Sequence, residues 1–307
     1  MTQTNEQPER YDRTVDPLDK LISSQRWLDK AALPLQKGIA SLFDKSGKLG
    51  QRAEDFLHGT YLGTPLHPIL VTIPIGAWSV AAILDALELG GRKDVRAGSD
   101  LAVGIGILGG VAAIATGWTD WARSGSSPVK RRVGFVHGSL NESALLLYAL
   151  SYFLRGGKAR ATARGIGWAA YMISGISAHL GGTLVYNEGL GVSHAADLHP
   201  PKDFTPVIKA ADLPENTPTR AMTGEVPIVL VRQGEQIYAL AEKCAHLGGP
   251  LSEGQVEGDA IRCPWHGSLF RLSDGYVLES PSAHAQPCFQ VRVRSGQIEV
   301  RPGRDVT

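Results

Sequence analysis

The chain has 307 residues, enough for two ordinary domains, and its 31 Lys+Arg against 30 Asp+Glu leave a formal charge of +1. With 43% hydrophobic and 20% charged residues and a mean hydropathy of -0.06, it is neither a disordered tail nor a collagen-like repeat. Three cysteines cannot staple a disulfide scaffold, and the near-neutral charge gives no electrostatic basis for binding nucleic acid. Two counts depart from the average. Glycine supplies 36 residues, about 12% against a usual ~7%, and the nine histidines are unevenly spread.

The averages also hide a division. Residues 1–202 hold 21 Lys+Arg and 17 Asp+Glu, whereas residues 203–307 hold 10 and 13. Residues 1–56 read as a polar N-terminal tail with short amphipathic helices, in which Trp27 and Phe43 stand among charges. Its first 19 residues lack the apolar stretch of a secretory signal. Four apolar runs follow, at 68–89, 101–118, 133–154 and 165–186. Each has about the ~20 residues needed to cross ~30 Å of hydrocarbon. They predict an all-α four-helix transmembrane bundle over residues 57–192; a buried soluble bundle is the alternative. Gly106-x-x-x-Gly110 suits close helix approach in lipid, and Trp118, Trp121, Trp168 and Tyr186 sit near span ends as interfacial aromatics do. Pro74 is expected to bend the first span.

Four spans return the chain to its starting side. His67, His137 and His179 then lie on three spans toward the end that carries residues 203–307, and Asp85 lies at the other end. Ionisable groups inside spans are costly and usually functional. Two imidazoles from different helices at similar depth are what a six-coordinate b-type haem requires. Gly175 and Gly182, flanking His179, leave room for a flat ring. A quinone or another redox site, and plain polar packing between helices, are the competing readings.

The segment Ser193-His-Ala-Ala-Asp-Leu-His-Pro-Pro-Lys202 reads as a linker. Beyond it, runs at 226–231, 236–241 and 289–293 are apolar or alternating and β-branched, and Ser295-Gly296 predicts a hairpin turn between 290–294 and 297–301. Residues 203–307 are therefore expected to form a small antiparallel all-β domain. Cys244-Ala-His246 is followed, after sixteen intervening residues, by Cys263-Pro-Trp-His266. Two thiolates on one iron and two imidazoles on the other make a Rieske [2Fe–2S] centre, so each loop offers one sulfur and one nitrogen ligand. Four-coordinate zinc competes for such a set, but zinc loops usually space cysteines two to four apart.

The surrounding residues, Cys244-Ala-His-Leu-Gly-Gly-Pro-Leu and Cys263-Pro-Trp-His-Gly-Ser-Leu-Phe270, closely resemble the Rieske family over residues 203–307. The resemblance implies a β-sandwich with a two-loop cluster subdomain, ligated by Cys244, His246, Cys263 and His266. It implies a tuning role for Ser268, which matches a serine that donates to a cluster sulfide in high-potential members. Gly248 and Trp265, in the two loops, are further tuning candidates. Respiratory members carry a disulfide between the loops; the matching places here are Gly249 and Trp265. A tyrosine of those members is Phe270 here. Fewer bonds to sulfur imply a potential nearer the ferredoxin-type members. Cys288 stands alone and reads as buried apolar filler.

Leu57-His-Gly-Thr-Tyr-Leu-Gly-Thr-Pro-Leu-His67-Pro, with Thr116-Gly-Trp-Thr-Asp-Trp121 and His179-Leu-Gly-Gly-Thr-Leu-Val-Tyr186, resembles a family of uncharacterised bacterial four-span membrane proteins. Members often carry another histidine where Thr64 stands here. That family implies no activity.

These readings predict an electron carrier or oxidoreductase subunit in a bacterial inner membrane, multi-pass, holding a Rieske cluster and working with a haem b or quinone in the bundle. Its partners are the lipid bilayer and a redox protein, with no nucleic acid. The 41 residues after His266 are too few for an oxygenase catalytic domain. Two alternatives stay open: an accessory or assembly subunit of a respiratory complex, and a membrane-anchored ferredoxin component of an oxygenase system. Basic residues near the spans number six on one side and seven on the other, so the positive-inside rule does not orient the chain. The polar N-terminus favours a cytoplasmic β domain; Lys130-Arg-Arg132, read as a twin-arginine export feature, favours the opposite side.

Overall fold

The computed structural model describes residues 17–303; residues 1–16 of the expected tail lie outside the described residues. Helices come first: α1 (Pro17–Ser24), α2 (Asp29–Lys45), α3 (Gly47–His58), α4 (Leu66–Leu89), α5 (Arg96–Ala122), α6 (Pro128–Arg155) and α7 (Arg160–Tyr186). Strands follow from residue 205 onward.

Helices α4 to α7 form an antiparallel bundle. α4 packs on α5, α6 packs on α7, and α5 joins the two pairs; α4 and α7 barely meet, and α4 and α6 stand diagonally. Among the described residues, two helical stretches, Leu66–Leu89 and Lys93–Ala122, are long and apolar enough to cross a membrane. α6 and α7 fall short of that measure because polar residues interrupt them: His137, Ser139, Asn141, Glu142 and Ser143 in α6, and Ser174, Ser177 and His179 in α7.

Small residues shape the interior differently from the expected backbone contact. A Cβ on Gly106 would fall inside the Trp78 indole, and one on Gly109 would strike Ile73. The glycines of α5 thus receive large side chains of α4. Trp78 stacks on Tyr148 of α6, ring centroids 4.1 Å apart, at the centre of the core.

The end of the bundle away from the β domain is closed by ions. Arg155 donates to Asp85 at 2.5 and 2.9 Å, to Ser99 at 2.7 Å and to Asp100 at 3.1 Å. Glu88 meets Arg96, Arg160 and Arg164. Arg155 and Asp85 are both almost wholly buried, so removing one partner strands the other charge, typically at ~3–5 kcal/mol. Arg155→Leu is expected to lower the apparent unfolding temperature in detergent sharply. Asp85→Asn with Arg155→Leu should recover part of that loss, because no lone charge then remains.

At the opposite end the N-terminal helices brace the bundle. Asp29 accepts from Arg131 and Arg132, and Gln36 donates to the Trp121 carbonyl at 3.0 Å. Two residues of the basic run 130–132, in the first turns of α6, are therefore engaged in internal ion pairs.

The β domain holds two antiparallel sheets. The larger has the order β1 (Thr205–Lys209), β10 (Gln297–Pro302), β9 (Cys288–Arg294), β4 (Gln236–Ala241), β3 (Val226–Gln233) and β2 (Thr219–Thr223). The smaller runs β5 (Gln255–Glu257), β6 (Ala260–Arg262), β7 (Leu269–Arg271) and β8 (Val277–Glu279). Strand β3 reads as an unbroken apolar run because both of its faces are covered. Ile228 and Leu230 point into one core with Phe289 and Ile298, while Val229 and Val231 point into another with Leu251, Ile261 and Phe270. Ser295 and Gly296 turn the β9–β10 hairpin at φ 50° and 76°, the primed-turn geometry that follows strand twist.

Residues 193–202 connect the halves but are packed rather than loose. Ala195 is buried in the sandwich core, Leu198 packs against it, and the His194 N–H donates to the Ala245 carbonyl at 2.9 Å. Further bonds tie the halves. The Ser280 N–H donates to Asp55 Oδ1 at 2.8 Å, Gln51 donates to Ser280 Oγ at 3.1 Å, and His284 Nε2–H donates to the Gly191 carbonyl at 3.1 Å.

Candidate metal centre

The four sequence-predicted ligands come from two loops, one after β4 and one between β6 and β7, and the two loops fold alike. The Cys244 N–H donates to the Gly249 carbonyl and the Gly248 N–H to the Cys244 carbonyl; the Cys263 N–H donates to Ser268 and the Gly267 N–H to Cys263, all at 2.8–3.1 Å. Gly248 and Gly267 occupy the same place in each loop at φ 77° and 85°, a left-handed conformation that favours glycine. Gly267 went unremarked in the sequence; its place four residues after the second cysteine, like Gly248 after the first, was the available signal.

Inside the loops the chemistry suits iron. Cys244 and Cys263 are buried and unbridged. Backbone amides of His246 and Leu247 point at the Cys244 sulfur, and those of Trp265 and His266 at the Cys263 sulfur. The Cys244 thiol and these amides draw Cys263 down to about 7, whereas the shared proton and burial push Cys244 up. Amide donors around paired sulfurs are what thiolate ligands require. Burial holds His246 well below the usual histidine range, and burial with the nearby Arg123 and Lys130 charges lowers His266, so both imidazoles are in the neutral, ligating form. His246 Nδ1 is buried with no hydrogen-bond partner among the described residues, a costly state for a polar atom unless it is a ligand. The two imidazole centroids are 5.0 Å apart.

Among the described residues, no three His, Cys, Asp or Glu side chains converge as the ligands of a mononuclear site do. A sulfur pair beside an imidazole pair instead matches a two-iron cluster, with two ligands for each metal. The residues present therefore fit a [2Fe–2S] group.

Supporting groups hold the loops. Gln286, 1% exposed, donates to the Ala241 and Lys243 carbonyls at 2.7 Å and accepts from the Ala245 N–H at 2.8 Å. It lies 41 residues from the first loop, and nothing local in the sequence marks it. Ser268 is fully buried and its Oγ accepts from the Ser282 N–H at 3.0 Å, which leaves its own proton for a neighbour. Gly249 and Trp265 are adjacent: a Cβ on Gly249 would fall 2.9 Å from the Cys263 sulfur and 3.0 Å from the indole. An indole over a glycine thus closes the two loops where respiratory proteins have a disulfide. Cys288 opens β9 half-buried against the same apolar core.

The imidazole face looks onto the helices. The α5–α6 turn brings Gly125 so close that a Cβ there would sit 3.3 Å from His266 Nε2 and 3.5 Å from Leu247. Beneath it lies a polar group that the sequence did not single out as a unit. His58, at the end of α3 and 3% exposed, places Nδ1 2.7 Å from Asp120 and Nε2 3.8 Å from Glu54. Arg123 binds Glu54 and Asp44. Burial opposes a charge on His58, but the Asp120 and Glu54 carboxylates outweigh it and carry the group up to about 9.

Deeper in the bundle, His67 and His137 line one cavity, with Asp120 also on its wall. His179 is exposed on α7 and does not line it, and Gly175 and Gly182 face open space. The structure therefore brings together two of the three histidines considered for a bundle cofactor.

The model of the Rieske [2Fe-2S] domain matches residues 203–290, and that of a predicted membrane protein domain of unknown function, DUF2231, matches residues 63–194. Ferredoxin CarAc of Metapseudomonas resinovorans is 36% identical over 95 residues, 31% of this chain and 89% of its own length. The 3-phenylpropionate/cinnamic acid dioxygenase ferredoxin subunit of Escherichia coli K12 is 36% identical over 89 residues, 29% of this chain and 83% of its own. A solved complex of reduced oxygenase and oxidized ferredoxin in carbazole 1,9a-dioxygenase contains a chain 32% identical, with a TM-score of 0.32, covering 34% of this chain and 98% of that one.

Proposed function

Since the chain belongs to the Rieske [2Fe-2S] family through residues 203–290 and joins that domain to a predicted membrane domain, we propose that it is a membrane-bound electron-transfer protein whose β domain works with a redox centre inside its own helices. The [2Fe–2S] cluster, when bound, supplies one-electron transfer. Cys244, Cys263, His246 and His266 would hold it, and the two loops keep water from the buried sulfurs. The observation that carries the reading is the orientation of the imidazoles. His246 and His266 turn toward the Gly125 turn, His58 and Lys130 of the helical half. A carrier serving only soluble partners has no use for that covering. Trp265, 56% exposed, leaves one edge of the centre open to a soluble redox protein.

The helical half is read as a four-span anchor formed by α4 to α7. Leu108, Leu146, Phe153 and Met172, on three of these helices, are between 64% and 82% exposed, an apolar belt suited to lipid rather than water. The membrane is taken as the bacterial inner membrane, and the packing of α1 to α3 and of the β domain at one end of the bundle supports placing both on one side of it, taken as the cytoplasmic side. A second reading, an anchored ferredoxin for a separate oxygenase, draws on the ferredoxins to which 95 and 89 residues of the chain are similar; the covered imidazole face favours the first.

Purified full-length protein in detergent, reduced with dithionite, is expected to give a Rieske-type EPR signal of about one cluster per chain. Absence of that signal from iron-replete protein overturns the assignment.

A further inference from the structure

The bundle is not filled. A cavity of ≈ 320 Å³ opens between α4, α5, α6 and α7, walled mostly by apolar groups such as Val71, Ile75, Ile114 and Leu184. Interiors are close-packed with voids seldom larger than a water, and an apolar cavity offers water too few partners to fill it. Space of this size is ligand-sized.

Two polar rings reach it, and both are oriented the same way. His67 Nδ1 lies 2.9 Å from the Ala113 carbonyl, and His137 Nδ1 lies 2.8 Å from the Ser177 carbonyl. A carbonyl only accepts, so each Nδ1 carries the proton and each Nε2 carries a lone pair. A backbone carbonyl holding the far nitrogen is the usual support of a metal-ligating histidine. The Asn141 amide donates to His137 Nε2 at 3.2 Å, which agrees with that tautomer; His67 Nε2 has no partner among the described residues.

The rings also share a level. Gly117 of α5 lies against the His67 imidazole, where a Cβ would fall 2.8 Å from Cε1. Its neighbour Trp118 covers Gly138 of α6, the residue next to His137, and Gly181 of α7 lies against the His137 imidazole. α4 and α6 are diagonal, so the two imidazoles enter the cavity from non-adjacent helices, and the weak α4–α7 contact leaves one flank of the bundle less covered than the others. The two rings present acceptors to the cavity, and the Trp78 Nε1–H on its wall is a buried donor without a partner among the described residues. A metal in a planar macrocycle needs two neutral nitrogen donors, and the Nε2 atoms of His67 and His137, on two different helices of one cavity, can supply them.

We propose that this cavity binds one b-type haem, with Nε2 of His67 and Nε2 of His137 as axial ligands and Asn141 turned aside. The proposal rests on the functional reading above only in calling the haem the bundle's redox centre; the site itself stands on its own geometry.

The test uses the full chain, expressed with δ-aminolaevulinate and purified in detergent. Pyridine haemochrome and optical spectra should report about one low-spin haem b per chain. His67→Ala and His137→Ala should each lose at least tenfold in haem content while keeping the cluster EPR signal, and added imidazole should restore a low-spin spectrum. His67→Met should retain haem with an altered spectrum, a change that a packing role would not produce. His179→Ala should bind haem normally. Protein with an intact cluster signal that carries no haem and takes up no added haemin overturns the proposal. Normal, spectrally unchanged haem in His67→Met and His137→Ala, or loss of haem in His179→Ala, overturns the ligand pair. Haem without any cluster signal would instead defeat the electron-transfer reading and leave this site standing.

Discussion

Cys263→Ser is expected to abolish the iron–sulfur optical and EPR signals of the protein, a loss of more than tenfold, and Cys244→Ser is expected to do the same. Both sulfurs are buried under paired backbone amides, and those amides are arranged for thiolates. A serine hydroxyl at Cys263 stays protonated where the thiol sits near 7, so it offers iron a poor ligand. His246→Ala should lose the cluster as well, because the buried Nδ1 of His246 is the donor that the fold leaves without another partner. Leu251, Ile261 and Phe270 pack directly against the two cysteines, so the domain is also expected to unfold at lower temperature without its metal. Circular dichroism melts of wild type and Cys263→Ser would read this. Equal cluster content in both proteins contradicts the ligand assignment.

Stability between neutral and alkaline pH is expected to depend on His58. Its group moves from the ordinary 6.5 to about 9 in the folded chain. The folded state therefore binds the proton more tightly than the unfolded state. The stabilisation is fully present below pH 6.5 and disappears as pH rises through 9, amounting to ~3 kcal/mol for a shift of this size. The groups facing it are Glu54 on its own helix, Asp120 from α5, and His246 across the domain contact, with Arg123 on the far side of Glu54. Deprotonation leaves Asp120 without its charged partner at the junction of the two halves. His58→Asn keeps an N–H toward Asp120 but cannot take up a proton. The wild type should lose several degrees of apparent unfolding temperature between pH 6.5 and 9.5 relative to this variant. Parallel pH profiles for the two proteins would refute the role given to His58.

Local chemistry made much of the centre legible beforehand. Cys244, His246, Cys263 and His266 stand in short spacings, and a loop that presents two ligands within four residues writes its function into adjacent positions. The Ser295-Gly296 turn and the strands around it were legible for a similar reason, because φ > 0 at two successive residues needs particular side chains. Gln286 was not legible. It steadies the first loop from 41 residues away, and a glutamine on a strand connection has no local signature of that work. His58 likewise reads as the polar end of an amphipathic helix until Asp120, 62 residues on, is folded beside it. The basic run 130–132 suggested an address or a topology signal; Asp29, about a hundred residues earlier, turns two of its three charges into internal ion pairs.

Composition and pattern alone separated an apolar helical half from an acidic β half, and short spacings marked the four candidate cluster ligands and the histidines within the helical runs. These follow from composition, period and short-range spacing, which every stretch of chain carries with it. Only the tertiary structure decided that His67 and His137 share a cavity while His179 faces outward, and that the imidazoles of the metal centre look into the helices. Which face of a helix meets which neighbour depends on how Trp78, Tyr148 and the α5 glycines interlock, a property of pairs of helices that no single segment contains.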